Sequence, residues 1–149
     1  MNLSCISLVV CLLTGYYHQS SHKSRHLAPL ICKSAHRYHI TPPTILAIMY
    51  RESRFTHSIC SHTDDIGIMQ LHCPPYTTGP TCNRCNVKKL TCNIDRGTRL
   101  LAIKKRRWQY KYKHPYHWIQ HNNYYSKNYY KKVYEKIRGS LDYAKLYCH

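Results

Sequence analysis

The sequence predicts an all-α domain. Three observations carry that prediction. Apolar residues recur at three- and four-residue spacing in several stretches, no stretch alternates apolar and polar residues as a half-buried strand would, and 149 residues suffice for one core but not two. The clearest stretch is PTILAIMYRESRF, Pro43 to Phe55. Thr41 suits the N-cap, and prolines are tolerated in a first helical turn. Ile45, Ile48, Met49 and Glu52 fall at i, i+3, i+4 and i+7, so they share one face. Three of them are apolar and the fourth is a carboxylate. An ionised carboxylate on a core-facing stripe is costly unless a cation pairs with it or its pKa rises. Glu52 is therefore either half of a buried ion pair or a carboxyl that keeps its proton near neutral pH, as a general acid must. The pattern alone leaves these two readings level.

The other elements follow in chain order. Ile6 to Leu13 is an apolar run of signal-peptide length, too short to cross a bilayer. Residues 1–20 are thus expected to be an export signal, although the basic start is missing, with Lys23 the first charged side chain. The competing reading is a buried N-terminal helix or strand. Residues 21–28 are polar and His/Ser-rich and read as a linker, which leaves 29–149 as the domain. Leu30, Ile31, Ser34, Ala35 and Tyr38 have helical spacing, so a first helix is expected over Pro29–His39. Thr41-Pro42-Pro43 separates it from the Glu52 helix. Thr56 to Asp65 reads as a loop, and Gly67 to His72 alone as a buried turn or short helix. Cys73 to Cys85, with three prolines and a glycine, has no regular pattern; a loop of that length lines a site or needs staples. Asn93 suits an N-cap and Asp95 a first turn for a helix that runs into Lys104-Lys105-Arg106-Arg107-Trp108. Tyr130, Val133, Tyr134 and Ile137 mark a last helix with a basic outer face.

Composition narrows the chemistry. There are 23 Lys and Arg against 6 Asp and Glu, a formal charge of +17. Such a balance suits a polyanionic partner: nucleic acid, an anionic membrane surface or an acidic wall polymer. The carboxylates are Glu52, Asp64, Asp65, Asp95, Glu135 and Asp142, and only Glu52 lies in a strong apolar helical pattern. Nine cysteines fall at 5, 11, 32, 60, 73, 82, 85, 92 and 148. Export would make disulfides their natural use. In a reducing compartment Cys82-x2-Cys85 with Cys73 and Cys92 could hold zinc, but a single CxxC is a weak signal. Disulfides are the preferred reading, and no metal or cofactor is expected.

The order of these pieces resembles the soluble-type lytic transglycosylase (SLT) catalytic domain. Glu52-Ser53-Arg54-Phe55 is similar to that family's E-S-x-F, and Gly67-Ile68-Met69-Gln70-Leu71 to its G-L-M-Q-[IL]. Asn93-Ile94-x-x-Gly97-Thr98-x-x-Leu101 resembles its N-I-x-x-G-x-x-[YL]-L segment. Trp118 to Asn122, then Tyr130-x-x-Val133, resembles its A-x-Y-N and following helix. The resemblance covers roughly residues 30 to 138. It implies a goose-type lysozyme-like helical fold with a cleft, Glu52 as single acid/base, and Ser53, Gly67, Met69, Gln70, His121 and Asn122 around the substrate. It implies cleavage between N-acetylmuramic acid and N-acetylglucosamine by a monomeric, exported enzyme. Peptidoglycan strands would be the partner, anionic wall polymers a further one, with no dedicated nucleic acid partner. Glu52 would protonate the glycosidic oxygen, then take the proton of the muramoyl 6-hydroxyl as that oxygen closes a 1,6-anhydro ring. The chain departs from the pattern at His121, where the family has tyrosine, at Asn123, where it has glycine, and in its cysteine-rich loop. Three alternatives stand beside this one: a hydrolase using Glu52 with Asp64 or Asp65 to position water, a cleft that only binds glycan, and a non-enzymatic basic module for nucleic acid.

Overall fold

The computed structural model describes residues 4–58, 64–73, 87–122 and 127–149 of the chain; the side chains of His121 and Asn122 are outside that description. Among the described residues the fold is helical apart from one small hairpin. Helix α1 is Cys5–Cys11 and continues into a π turn, Leu12–Tyr16. Helix α2 is Ser21–Tyr38 and α3 is Pro42–Ser53. Strands β1, Asp65–Ile66, and β2, Leu71–His72, pair antiparallel, with Asp65 opposite His72 and Ile66 opposite Leu71. Helix α4 is Leu90–Trp108, followed by 3-10 turns at Gln109–Lys111 and His117–Asn122, and α5 is Lys127–Tyr147.

Helix α3 is the central element. Seven consecutive residues, Pro43 to Met49, are buried, so it is covered on nearly every side. Helix α5 packs on it, while α2 packs against both α1 and α4. The faces that meet follow the 3.6-residue period. Helix α4 buries Ile94, Gly97, Thr98 and Leu101; α5 buries Tyr129, Val133, Ile137 and Ser140. Asp95 links α2 to α4 by accepting from Arg37 (3.0 Å) and Tyr38 (2.9 Å).

Three expectations need correction. The polar stretch 21–28 is not a linker but the opening of α2. Ser20 caps it by accepting from the Lys23 N–H, and Ser24, Leu27 and Ala28 face the core. Asn93 is no N-cap: α4 begins three residues earlier, after Lys89. Of the two readings of Gly67 to His72 the buried turn holds: Gly67 to Gln70 are the tip of the β-hairpin. On α5 the buried stripe runs through Tyr129, whereas Tyr130 and Tyr134 sit at its edge. Thr41 is the N-cap of α3 as expected, although its hydroxyl pairs with that of Thr44 (2.8 Å).

Residues 5–17, read from sequence as part of an export signal, are packed into the core here, with Val9, Leu12 and Leu13 fully buried. Two disulfides anchor this segment: Cys5–Cys32 to α2 and Cys11–Cys148 to the far end of the chain. Cys73 is also disulfide-bonded, so it has no thiolate to offer zinc, and Cys92 is free. Cys60, Cys82 and Cys85 lie outside the described residues.

Candidate active site

Glu52 stands in the last turn of α3, on the stripe of Ile45, Ile48 and Met49, all three fully buried. Its own side chain is only partly exposed. The Tyr129 hydroxyl, brought in by the first turn of α5, donates to Glu52 Oε1. Burial pushes the Glu52 carboxyl above the usual carboxylate range and outweighs the Tyr129 hydrogen bond and the Arg51 charge, which both favour the ionised form. Nearby Asp65 pushes it further up, and Lys104 opposes weakly. Lys104 is itself held below the ordinary lysine range by burial, against the pull of Glu52. Both groups are thus biased by desolvation toward their neutral forms, the outcome when burial exceeds mutual attraction. A carboxyl in that condition holds its proton to higher pH than a free one, which suits a group that donates a proton first and accepts one later.

The turn after the acid is fixed by Arg54 and Phe55, both in left-handed conformations (φ 50° and 62°). Phe55 is buried against Tyr17 and Tyr50, with ring centroids 5.1 and 6.1 Å away. Ser53 is buried, and its hydroxyl donates to the carbonyls of Met49 (3.2 Å) and Ile68 (2.8 Å). It therefore holds the hairpin tip against the end of α3.

The tip owes its shape to Gly67 and Asn93. Gly67 has φ +78° and lies so close to Asn93 that a Cβ would come within 2.7 Å of Asn93 Cγ. Asn93 Oδ1 accepts from the Met69 N–H (2.9 Å), while Nδ2 donates to the carbonyls of Ile66 (2.8 Å) and Val87 (2.9 Å). Met69 is buried against α4 at Gly97, where a Cβ would stand 2.8 Å from Met69 Cβ. Gln70, also at positive φ (46°), is half-buried, and both its backbone N–H and its Nε2 bond the Gly67 carbonyl (3.0 and 2.8 Å). His57 braces the other side: Nδ1 accepts from the Ile68 N–H (3.3 Å), which leaves the proton on Nε2 to donate to the Lys88 carbonyl (2.6 Å).

The structure thus brings Glu52, Ser53, Gly67, Met69 and Gln70 together. Ser53, Gly67 and Met69 are buried, so they shape the wall around the acid from behind. His121 and Asn122 end the second 3-10 turn, which packs on α4 and α5; their side chains lie outside the described residues. Asp65 is near Glu52, and its Oδ1 pairs with His72 Nδ1 (3.1 Å). Sequence reasoning missed Tyr129, Lys104 and the true task of Asn93. Among the described residues no group of His, Cys, Asp and Glu could hold a metal.

A family model described as the transglycosylase SLT domain matches residues 29–139. Three curated relatives match, each named membrane-bound lytic murein transglycosylase C, from Actinobacillus pleuropneumoniae serotypes 5b (strain L20), 3 (strain JL03) and 7 (strain AP76). Each is 36% identical over 91 residues, covering 54% of this chain. The matched part is only 24% of the relatives' own length. No solved structure matches. A helical domain with its glutamate at the end of α3, its G-I-M-Q hairpin tip and the asparagine that clamps it, matched by the family model over 111 of 149 residues (29 to 139), belongs to the transglycosylase SLT domain family.

Proposed function

We propose that the protein is a peptidoglycan lytic transglycosylase in which Glu52 carries both proton transfers. The observation that carries this reading is the half-buried Glu52, raised in pKa and held by Tyr129. Protonated Glu52 donates to the glycosidic oxygen between the muramoyl and glucosaminyl residues. The muramoyl N-acetyl group supports the developing positive charge. Ionised Glu52 then removes the proton of the 6-hydroxyl as that oxygen attacks the anomeric carbon, and a 1,6-anhydromuramoyl end forms without consuming water. One carboxyl suffices because it changes role between the steps. In this reading Gln70, half-buried at the hairpin tip, meets substrate together with His121 and Asn122, while Ser53, Gly67 and Met69 position that tip. The described disulfides support work in an oxidising, exported compartment.

One observation favours a second reading. Asp65 is close enough to Glu52 to act on its charge, and a hydrolase needs a second carboxylate to orient water. Mass spectrometry of muropeptides released from purified walls separates the two. Anhydro ends are expected, whereas reducing ends would assign hydrolysis.

Tyr129 gives a graded test. Its hydrogen bond favours ionised Glu52, so Tyr129→Phe raises the Glu52 pKa further. The alkaline limb of the pH–rate profile of glycan cleavage is expected to move to higher pH in that variant. A limb that moves to lower pH, or stays in place, would mean that this limb does not report Glu52.

A further inference from the structure

A concave site is built around Arg51, the residue before Glu52. It is a cavity of about 460 Å³ between α3 and α5. Helix α3 supplies Tyr50 and Arg51, and its C-cap is Arg54; α5 supplies Lys132, Glu135 and Lys136, and Tyr16 also lines the cavity. Four cationic side chains therefore face one carboxylate. Among the described residues, none of the four has an ion-pair partner. Three of them, Arg51, Arg54 and Lys136, are held instead by aromatic rings. Lys136 Nζ lies 4.7 Å from the Tyr50 centroid and 5.4 Å from that of Tyr16. The Arg54 guanidinium is over Tyr50 at 5.0 Å, and its Nη1 donates to the Tyr50 hydroxyl (2.8 Å). Cation–π contacts orient ammonium and guanidinium groups while leaving N–H donors unspent.

A net +17 explains a basic surface but not a concave one. Like charges in a shared cavity repel, and that arrangement becomes favourable when an anion fills it. Arginines supply planar forks suited to oxyanions. The cavity is also coupled to the acid by position: Arg51 precedes Glu52, and its guanidinium lies 5.9 Å from the ring of Tyr129, whose hydroxyl bonds Glu52. We propose that this cavity is an oxyanion-binding subsite for carboxylate or phosphate groups carried on the same wall polymer whose glycan Glu52 would cleave. It rests on the proposed function for the identity of the polymer. The peptide stems attached to muramoyl residues carry carboxylates, and phosphodiester polymers joined to the glycan offer the same oxyanion chemistry.

The test is binding of Glu52→Gln protein to purified insoluble walls. Lys132→Glu, at an exposed position, and the Lys132→Glu/Lys136→Glu pair are compared with Arg106→Glu/Arg107→Glu, an identical change of net charge on exposed α4 positions. The cavity pair is expected to weaken binding by about tenfold and the remote pair by less than about twofold. Amidating the wall carboxylates erases the difference if peptide stems are the ligand; stripping phosphate polymers erases it if they are. Equal losses in the cavity and remote pairs overturn the subsite in favour of diffuse charge. So does a cavity variant that loses duplex DNA binding while keeping walls. Because binding is read on a protein lacking the Glu52 carboxyl, hydrolytic or absent cleavage by the native chain would overturn the proposed function without deciding this result.

Discussion

Replacing Glu52 by glutamine is expected to lower glycan cleavage by at least about 100-fold, because the proposed mechanism gives both proton transfers to this one group. The same variant should fold. Glutamine keeps an oxygen for the Tyr129 hydroxyl and brings no charge into the half-buried site. Its stability carries a sign that separates the two readings of this residue. The folded-state pKa of Glu52 is raised above its unfolded value, so ionisation costs the folded state. Below about pH 4, where the carboxyl is protonated in both states, native and variant proteins should melt alike. As pH rises through the raised folded pKa, the native protein should lose stability relative to Glu52→Gln. Melting temperatures of both proteins across that window are the measurement. A variant that instead falls behind the native protein with rising pH would show Glu52 to be half of a stabilising ion pair with Lys104 or Arg51. Near-native turnover by the variant would remove Glu52 from the mechanism.

The second large effect concerns the covalent frame. Cys11–Cys148 closes a loop spanning 137 positions in sequence. In the chain-entropy account, opening a loop of that size returns about 5 kcal/mol of freedom to the unfolded chain. The double replacement Cys11→Ala/Cys148→Ala is therefore expected to destabilise the domain by about 4 to 5 kcal/mol, a large share of the ~5–15 kcal/mol of a typical domain. The contacts on either side make the native bond more than a tether: α1 and its π turn bury Val9, Leu12 and Leu13, and α5 packs Tyr143 over Gly15, where a Cβ would come within 2.7 Å of the Tyr143 ring. Denaturant unfolding of oxidised, reduced and double-alanine proteins checks this. A loss under about 1 kcal/mol would mean that helix packing alone holds the N-terminal segment in place.

Legibility of the fold tracked the range of the physics. The acid was visible because its stripe is local: Ile45, Ile48, Met49 and Glu52 lie within two turns of one helix. The hairpin tip was visible only as a motif, since two-residue strands leave no alternation to read. Asn93 was misread because the local rule for asparagine before an apolar run favours a cap. Its real partners, Ile66, Met69 and Val87, come from segments whose docking no local rule encodes. The start of α2 was hidden by its histidines and serines, though Ser20 and the buried Ser24 make a regular helix opening. Tyr129 could have been found. Counting back four residues from Val133, as Ile137 is four ahead of it, places Tyr129 rather than Tyr130 on the buried face. Lys104 was lost in its basic run, yet it follows Leu101 by three positions and so shares that side of α4.

The bond between Cys11 and Cys148 also sets what a protease could accomplish. With those sulfurs joined, the polypeptide between them is a covalent ring. A single cut anywhere within that ring yields two pieces that stay attached and already docked, so the broken ends can find their places again without diffusing together. One nick would then leave the fold assembled.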